Sequence, residues 1–554
     1  MQSFSPQARS QHLARMEEAT FDLLVVGGGI TGAGIARDAA MRGLDVALVE
    51  QRDFASGTSS KSSKLIHGGL RYLEQADFAL VFEGTSERAR LMRQAPHVVR
   101  PLPFLYPVYQ GARWGPFIIQ FGMWLYDLLA LFRNFKMHRR LGVGGTAETA
   151  PGLLTEGMRA SMLYYDALTD DARLTFENVL AAHQHGAAIS NHAEMTGPLR
   201  DSAGRITGAR IRDRLTGHEF DLKARALVHA VGPWTNAVLD RHGDANPEMI
   251  RPTRGVHVLI SQRRLPCAQA IVLNSIRDGR VVFLIPWEDS VAIGTTDTDH
   301  AEGPDSVHAT REDVDYLLET INHFFPEARL EDTDIRSSWA GLRPLVREDH
   351  ASAYDTSREH TITTHSEGRI TIAGGKLTTY RKMAEQCVEK ALELLPLERQ
   401  RGRKRPVTRS APLPGAEGFD FATEQGSAVE SLTTGPLKTT TRGGERLTRT
   451  HGGRWKLLQR RAEANPDLAQ LLDEPTGVTA AEIEHAVLEE MGMTLDDVLV
   501  RRTPLFHHGE KQGLPVVERV AQQMAELLDW TDDQRAENIA RFRQTVADSW
   551  RWNR

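Results

Sequence analysis

Gly27, Gly29 and Gly32 stand at G-x-G-x-x-G spacing directly after the apolar run Phe21–Val26. A small-residue stretch follows, with Ala33, Ala36 and Ala40 on one helical face, and a second apolar run, Val46–Val49, ends on Glu50. Strand, glycine turn, helix, strand and acid, in that order, make a dinucleotide-binding βαβ unit. Each part has a task. Glycines let the backbone of Gly27, Gly28, Gly29 and Ile30 approach a pyrophosphate. The helix N-terminus presents free N–H groups to its charge, and Glu50 hydrogen-bonds a ribose hydroxyl. The plain alternative is a glycine-rich turn of some other α/β protein.

Two later segments repeat the strand–glycine–helix form. They are Ala230-Val231-Gly232-Pro233-Trp234 and Ala373-Gly374-Gly375-Lys376-Leu377-Thr378. Three returns of the chain to one ligand suit a long, embedded FAD better than a nicotinamide that is released each turnover. Between Thr58 and Gly69 the sequence TSSKSSKLIHGG is dense in hydroxyls and glycine. Thr58, Ser59, Ser60, Ser63, Lys64, His67, Gly68 and Gly69 there are candidates to hydrogen-bond the pyrophosphate and the flavin edge, or else make a merely polar loop. With Gly232, Trp234, Gly374, Gly375, Leu377 and Thr378 they complete the expected cofactor set.

The elements that must carry these residues fill a long chain. Its 554 residues predict two or three domains, and its net charge of −6 gives no overall nucleic-acid footprint. Cys267 and Cys387 are far apart and form no C-x-x-C pair, so neither a disulfide framework nor a metal site is expected and a reducing cytoplasm fits. The first twenty residues are polar and lack the apolar core of a signal peptide; they read as a frayed leader or a short helix. Helix is expected over Leu174–Gln184, antiparallel strands over Val256–Ile260, Val281–Ile285 and Val291–Gly294, and another strand over Arg369–Ala373. Arg401–Gly415 is basic and Pro-containing, as a linker is, and Thr433–Glu445 reads as a flexible loop. Beyond it Thr479-x-x-Glu482 and Thr494-x-x-Asp497 have capping-box form. The longest apolar run, Phe117–Phe132, is too short to span a bilayer comfortably, and is flanked by Trp114 and by the basic stretch Arg133–Arg140. A buried lid helix is the favoured reading, and a segment lying on an anionic membrane surface is the alternative.

The chain resembles the FAD-dependent, aerobic respiratory glycerol-3-phosphate dehydrogenases. The resemblance rests on VVGGGITGAGIARDAAMRGL, TSSKSSKLIHGGLRYLE, VGPWTN, IPWEDSVAIGTTDT, WAGLRPLVRED, GGKLTTYRKMAE and TLDDVLVRRT, which run in the family's order along nearly the whole chain. Two departures are HAVGPW, where a Thr or Ala usually precedes that Gly, and a less typical C-terminal portion such as LFHHGEKQ. The resemblance implies an α/β + α fold: a glutathione-reductase-like Rossmann FAD domain, an antiparallel-sheet substrate domain and a helical C-terminal domain. The expected bounds are 20–110, 165–250 and 351–400 for the FAD domain, 111–164 and 251–350 for the substrate domain, 401–420 for a linker and 421–554 for the helical domain.

The same resemblance implies oxidation of glycerol 3-phosphate to dihydroxyacetone phosphate, with electrons passed to a quinone at the inner face of the cell membrane. It admits a homodimer. Oxidation of a secondary alcohol needs a base for the hydroxyl proton, and His67 is the candidate; a His67 that only hydrogen-bonds flavin or backbone is the alternative. His257 either orients the substrate or is a satisfied strand histidine. A phosphate dianion needs rigidly held cations. The family pattern supplies Arg71, Arg343, Arg358 and Lys376, with Arg71 alternatively supporting the fold through Glu74. Competing readings are an oxidase that delivers electrons to oxygen, an amino-acid or sarcosine-type oxidase, and a flavin-binding regulator without catalysis.

Overall fold

The computed structural model describes residues 3–73, 76–131, 133–241, 248–347, 359–401 and 405–553. Strand Thr20–Val26 lies at the centre of the first sheet, between parallel strands Val46–Val49 and Glu219–His229. Ala188–Ser190 continues the parallel set on one side and Arg369–Gly374 on the other, and antiparallel His360–Thr364 closes that edge. Every residue from Phe21 to Val26 is buried, as expected of a parallel strand covered on both faces. Helices Ile30–Met41, Asp171–Gln184 and Tyr380–Leu394 cover one face through Ala33, Ala36, Phe176, Val179, Ala384 and Val388. The hairpin Ala193–Arg200/Ile206–Asp213 and the helix Pro6–Glu18 cover the other. That helix settles the N-terminal alternatives, with Ser5 as its side-chain cap.

The second sheet is mostly antiparallel. Ile250–Ser261 pairs along its length with Ile335–Val346, and Val99–Tyr109 with Met158–Thr169. Helix Arg311–Phe324, opened by a Thr310/Asp313 capping box, buries Val314, Leu317 and Ile321 behind it. The expected division is corrected here: Leu65–Ile66, Val99–Tyr109 and the end of Met158–Thr169 pair within this second sheet, not with the nucleotide-binding one. The chain therefore changes sheets at residues 61–64 and 170–171. Those changes carry the hydroxyl-rich segment across the boundary between the two layers.

Residues 405–413 are no free linker. Thr408 donates to Asp38, the Thr408 carbonyl accepts from Gln94, and Leu413 is fully buried, so the segment straps the C-terminal domain to the first sheet. Beyond it the chain is helical around two apolar centres, one of Leu432, Leu447, Trp455 and Leu458, the other of Ile483, Leu499, Val520 and Phe542. Thr441–His451 is a helix, so the loop expected over Thr433–Glu445 shrinks to the few residues after Thr434. Thr479 and Glu482 form the anticipated capping box.

The lid-helix expectation for the Phe117 run is overturned. Pro116–Leu129 is helical, but only Met123, Tyr126 and Asp127 are buried, with Ile119 and Leu129 partly packed against the core. Phe117 is 75% exposed and Phe121 71%, with Ile118, Trp124, Leu128, Leu131 and Phe135 also largely open. Phe132 lies outside the described residues. The apolar stripe thus points away from the core, and no described helix is long and apolar enough to cross a membrane.

Candidate active site

The three glycine turns converge. A cleft of about 240 Å³ is lined by Gly27, Gly29, Ile30 and Glu50 from the first turn, Gly232 and Trp234 from the second, and Gly374–Leu377 from the third. Thr58 and Ser59 close its side. Gly27 has φ +111°, and a Cβ there would sit 2.5 Å from the Ala230 carbonyl oxygen. A Cβ on Gly32 would sit 1.9 Å from the Gly27 carbonyl, so helix and turn touch as only glycine permits. Helix Ile30–Met41 begins at Gly29 without a side-chain cap, leaving N–H groups at its positive end. One of them, on Ile30, donates to Ser59 Oγ at 2.9 Å. Glu50 accepts from Gly28 N (2.7 Å) and Arg52 N (2.8 Å), which aims its remaining lone pairs at the cleft. Burial pushes its carboxyl up. Narrow glycine approach, uncapped helix and a ribose-ready acid fit FAD.

The loop that follows Glu50 is gripped from behind. Asp53, which sequence reading missed, is buried and accepts from Arg501 Nε (2.6 Å) and from Arg502 Nη1 and Nη2 (2.9 and 2.8 Å). Both arginines lie on the π-helical turn Asp497–Arg502, inside the TLDDVLVRRT segment. Asp497, the first residue of that turn, reaches back to accept from Met493 N and Thr494 N and pairs with His192 at 2.9 Å. Only the segment's match to the family pattern hinted at this; the partner lies more than four hundred residues away.

On the reactive side, His67 follows the short strand Leu65–Ile66. Its backbone N–H donates to Thr378 Oγ1, whose hydroxyl donates back to its carbonyl, both at 3.2 Å, so two predicted segments lock together. The neighbouring Gly68 N–H reaches Tyr126 Oη and Asp166, each at 3.1 Å, and a Cβ on Gly68 would overlap the Tyr126 hydroxyl. Tyr126 donates to Asp166 at 2.7 Å, and Arg88 pairs with that same carboxylate. Tyr126 belongs to the helix whose other face is the exposed apolar stripe. Its hydroxyl is driven well up by burial, so it stays a donor.

Lys376 sets its ammonium 3.8 Å from the centre of the Tyr72 ring, a partner that sequence reading also missed. Arg343 projects from Ile335–Val346 and contacts Asp297 (3.1 Å) and Thr295 Oγ1 (2.7 Å). His257 is buried, stacks on Trp339 at 4.9 Å and meets Ser63 Oγ at 2.9 Å. Burial, then Arg343 and Lys64, hold it well below the usual imidazole range, hence neutral. Its Nε2 is taken by Ser63, while its Nδ1 is buried without a hydrogen-bond partner among the described residues. Lys64 and Ser60 face away from the cleft: the Lys64 ammonium is committed to Asp171 at 2.7 Å. Arg358 and the side chain of Arg71 lie outside the described residues, as does Glu74. A buried trio of His451, His485 and Glu490 has metal-ligand spacing, but Arg173 grips both Glu490 oxygens at 2.5 and 2.9 Å, which leaves no anion to spare for a cation.

Residues 22–381 match the FAD dependent oxidoreductase family, and residues 406–535 match the C-terminal domain of alpha-glycerophosphate oxidase. The chain is 36% identical to the aerobic glycerol-3-phosphate dehydrogenase of Bacillus subtilis, covering 97% of this chain and 96% of that one. It is 34% identical to the alpha-glycerophosphate oxidase of Streptococcus pneumoniae, over 99% and 98%. Among solved structures, the glycerol-3-phosphate dehydrogenase of Bacillus halodurans complexed with FAD superposes with a TM-score of 0.79 at 31% identity, covering 99% of each chain.

Proposed function

We infer the function from one premise: the chain belongs to the FAD dependent oxidoreductase family, in the branch that carries the C-terminal domain of alpha-glycerophosphate oxidase. It is an FAD enzyme that oxidises glycerol 3-phosphate to dihydroxyacetone phosphate. Bound FAD supplies the acceptor for the carbinol hydride. Everything else falls to the chain. Gly27–Ile30, Glu50, Thr58, Ser59, Gly232 and Gly374–Thr378 hold the cofactor. His67 takes the hydroxyl proton on its imidazole, and its fixed backbone sets where the ring sits. Lys376, seated on Tyr72, and Arg343 hold the phosphate with Arg71 and Arg358. Asp297 and Thr295 hold the Arg343 guanidinium in position.

The observation that carries this reading is the meeting of three sequence-distant glycine turns in one cleft whose edge is Lys376. Anaerobic glycerol 3-phosphate bleaching the flavin spectrum, with glycine and sarcosine inert, is the expected result. A flavin reduced by the amino acids instead would return the reading to the amino-acid oxidases.

For the acceptor we favour a quinone taken from a lipid surface. Support comes from the outward stripe of Phe117, Phe121, Trp124 and Leu128, with Arg113, Arg139 and Arg140 nearby, the pattern of a helix lying in a membrane interface. Relatives named oxidase match about as well as those named dehydrogenase, so oxygen is the competing acceptor. Peroxide formed in step with substrate, and no gain with quinone-loaded anionic vesicles, would select it.

A further inference from the structure

Behind the FAD loop lies a second cavity, of about 630 Å³, where the two sheets and the C-terminal helices meet. It shares none of Arg343, Lys376, His67 or Tyr72 with the active site. Lysines and arginines outnumber carboxylates twelve to seven along its wall. Most of these cations are committed: Lys64 to Asp171, Arg173 to Glu490, Arg446 to Glu482. Lys61 is the exception. Among the described residues no carboxylate or carbonyl partners its ammonium. Burial, with Arg52 and Arg501 nearby, pushes it down to about 8, with Asp305 opposing.

Other donors around the cavity are also open. Arg501 spends Nε on Asp53 and Nη2 on Asp497, which leaves Nη1. Arg214, at the exposed rim, makes only a 3.4 Å contact to the Gln51 carbonyl. His507 Nδ1 and His508 Nε2 are buried in the wall without a partner, and His507 is neutral because burial and Lys64 hold it well below its usual value. An unpaired ammonium in a partly desolvated wall is costly unless an anion joins it. An ammonium, two guanidiniums and two imidazoles line this cavity from four separate segments, and donors from several directions suit a tetrahedral oxyanion better than a planar carboxylate. The volume accommodates a small organic ester.

We propose that this interdomain cavity binds a phosphate monoester dianion at Lys61, Arg501 and Arg214, as a second anion site separate from the one that oxidises substrate. Lys61 ends the turn Thr58–Ser60, and Ser59 holds the N-terminus of the FAD helix, so the site abuts the cofactor loop from behind.

The test uses FAD-saturated holoenzyme and inorganic phosphate, titrated by calorimetry at constant ionic strength against chloride. The expected result is two phosphates per wild-type chain and a surviving one in Arg343→Ala. Lys61→Met in that background should weaken the survivor about tenfold or more. Arg214→Gln, an exposed change that leaves glycerol 3-phosphate turnover intact, should weaken it as well and covers the case in which Lys61→Met folds poorly. Loss of all saturable phosphate binding in Arg343→Ala overturns the proposal, as does unchanged affinity in both cavity variants. Two phosphates persisting in Arg343→Ala, one of them lost with Lys61→Met, would instead fault the role given to Arg343 and leave the second site standing. The readout is binding, so it does not depend on which acceptor the enzyme uses.

Discussion

His67 has its backbone fixed: Thr378 holds the peptide on both sides, and Gly68 is tied to Tyr126 and Asp166. Replacing the imidazole therefore removes a proton acceptor without moving the loop. His67→Ala should slow anaerobic flavin reduction by roughly 10²-fold or more while dihydroxyacetone phosphate still binds. Stopped-flow absorbance would measure it, and an unchanged reduction rate would take His67 out of that role. Arg343 is different, because its guanidinium already has oxygen partners and the role proposed for it is to grip an anion. Arg343→Ala should raise the product dissociation constant by about tenfold or more, the loss of a charge-assisted hydrogen bond, with a smaller effect on reduction at saturation. An equal loss in both quantities would mean that Arg343 acts in the transition state. His257 shows why residue type alone misleads. Chemically it is a second base, yet it is buried, held neutral and bonded through one nitrogen to Ser63.

Two elements join parts of the molecule that their own sequences do not connect. The π-helical turn Asp497–Arg502 closes on Asp53, fixing the FAD loop to the C-terminal domain. Asp53→Asn leaves two buried guanidiniums short of an anion, a loss of roughly 3–5 kcal/mol by analogy with other broken buried pairs. The expected outcome is a lower melting temperature together with weaker FAD retention, read from flavin fluorescence on dilution. Full FAD retention in that variant would make the contact purely interdomain. The helix Pro116–Leu129 links the outside to the active site, with Tyr126 on the loop of Gly68 and Phe117 and Phe121 in the open. Phe121→Glu should reduce co-sedimentation with anionic vesicles severalfold and leave dye-linked oxidation of glycerol 3-phosphate unchanged, since an interfacial charge opposes only the docking. Undiminished sedimentation would leave the stripe without its lipid role.

Across the whole molecule, charge is buried where the layers meet. Glu177 is wholly buried and is held down to about 2 by Arg454 and His97 against the cost of burial. A carboxylate depressed in the fold adds stability above its unfolded value, near 4.3, and that stability is lost as pH falls toward 2. His12, lowered to about 4, and His257, His451 and His507, held well down by burial, add to this from higher pH. An imidazole that stays neutral when folded but takes a proton when unfolded costs stability as soon as pH drops below about 6.5. The melting temperature should therefore fall steadily from pH 6.5 to 4 and more steeply below. A flat profile from 6.5 to 5, followed by scanning fluorimetry, would mean that these histidines become charged within the fold.

Local chemistry was legible in the chain itself. Gly27, Gly32 and Glu50 are dictated by backbone approach and ribose recognition within one βαβ unit, and the capping box at Thr479 lies within four residues. The return of Gly232 and Gly374 to the same cleft was also readable, because each repeats the same turn. What pairs across hundreds of residues was not. Asp53 with Arg501, Tyr72 beneath Lys376 and Val99–Tyr109 in the second sheet carry no local mark, because burial and Coulomb attraction depend on distance in space and not along the chain. The face that Pro116–Leu129 turns outward was decided in the same way. An amphipathic pattern sets which residues share a side of a helix, and only the surrounding packing sets whether that side meets core or surface.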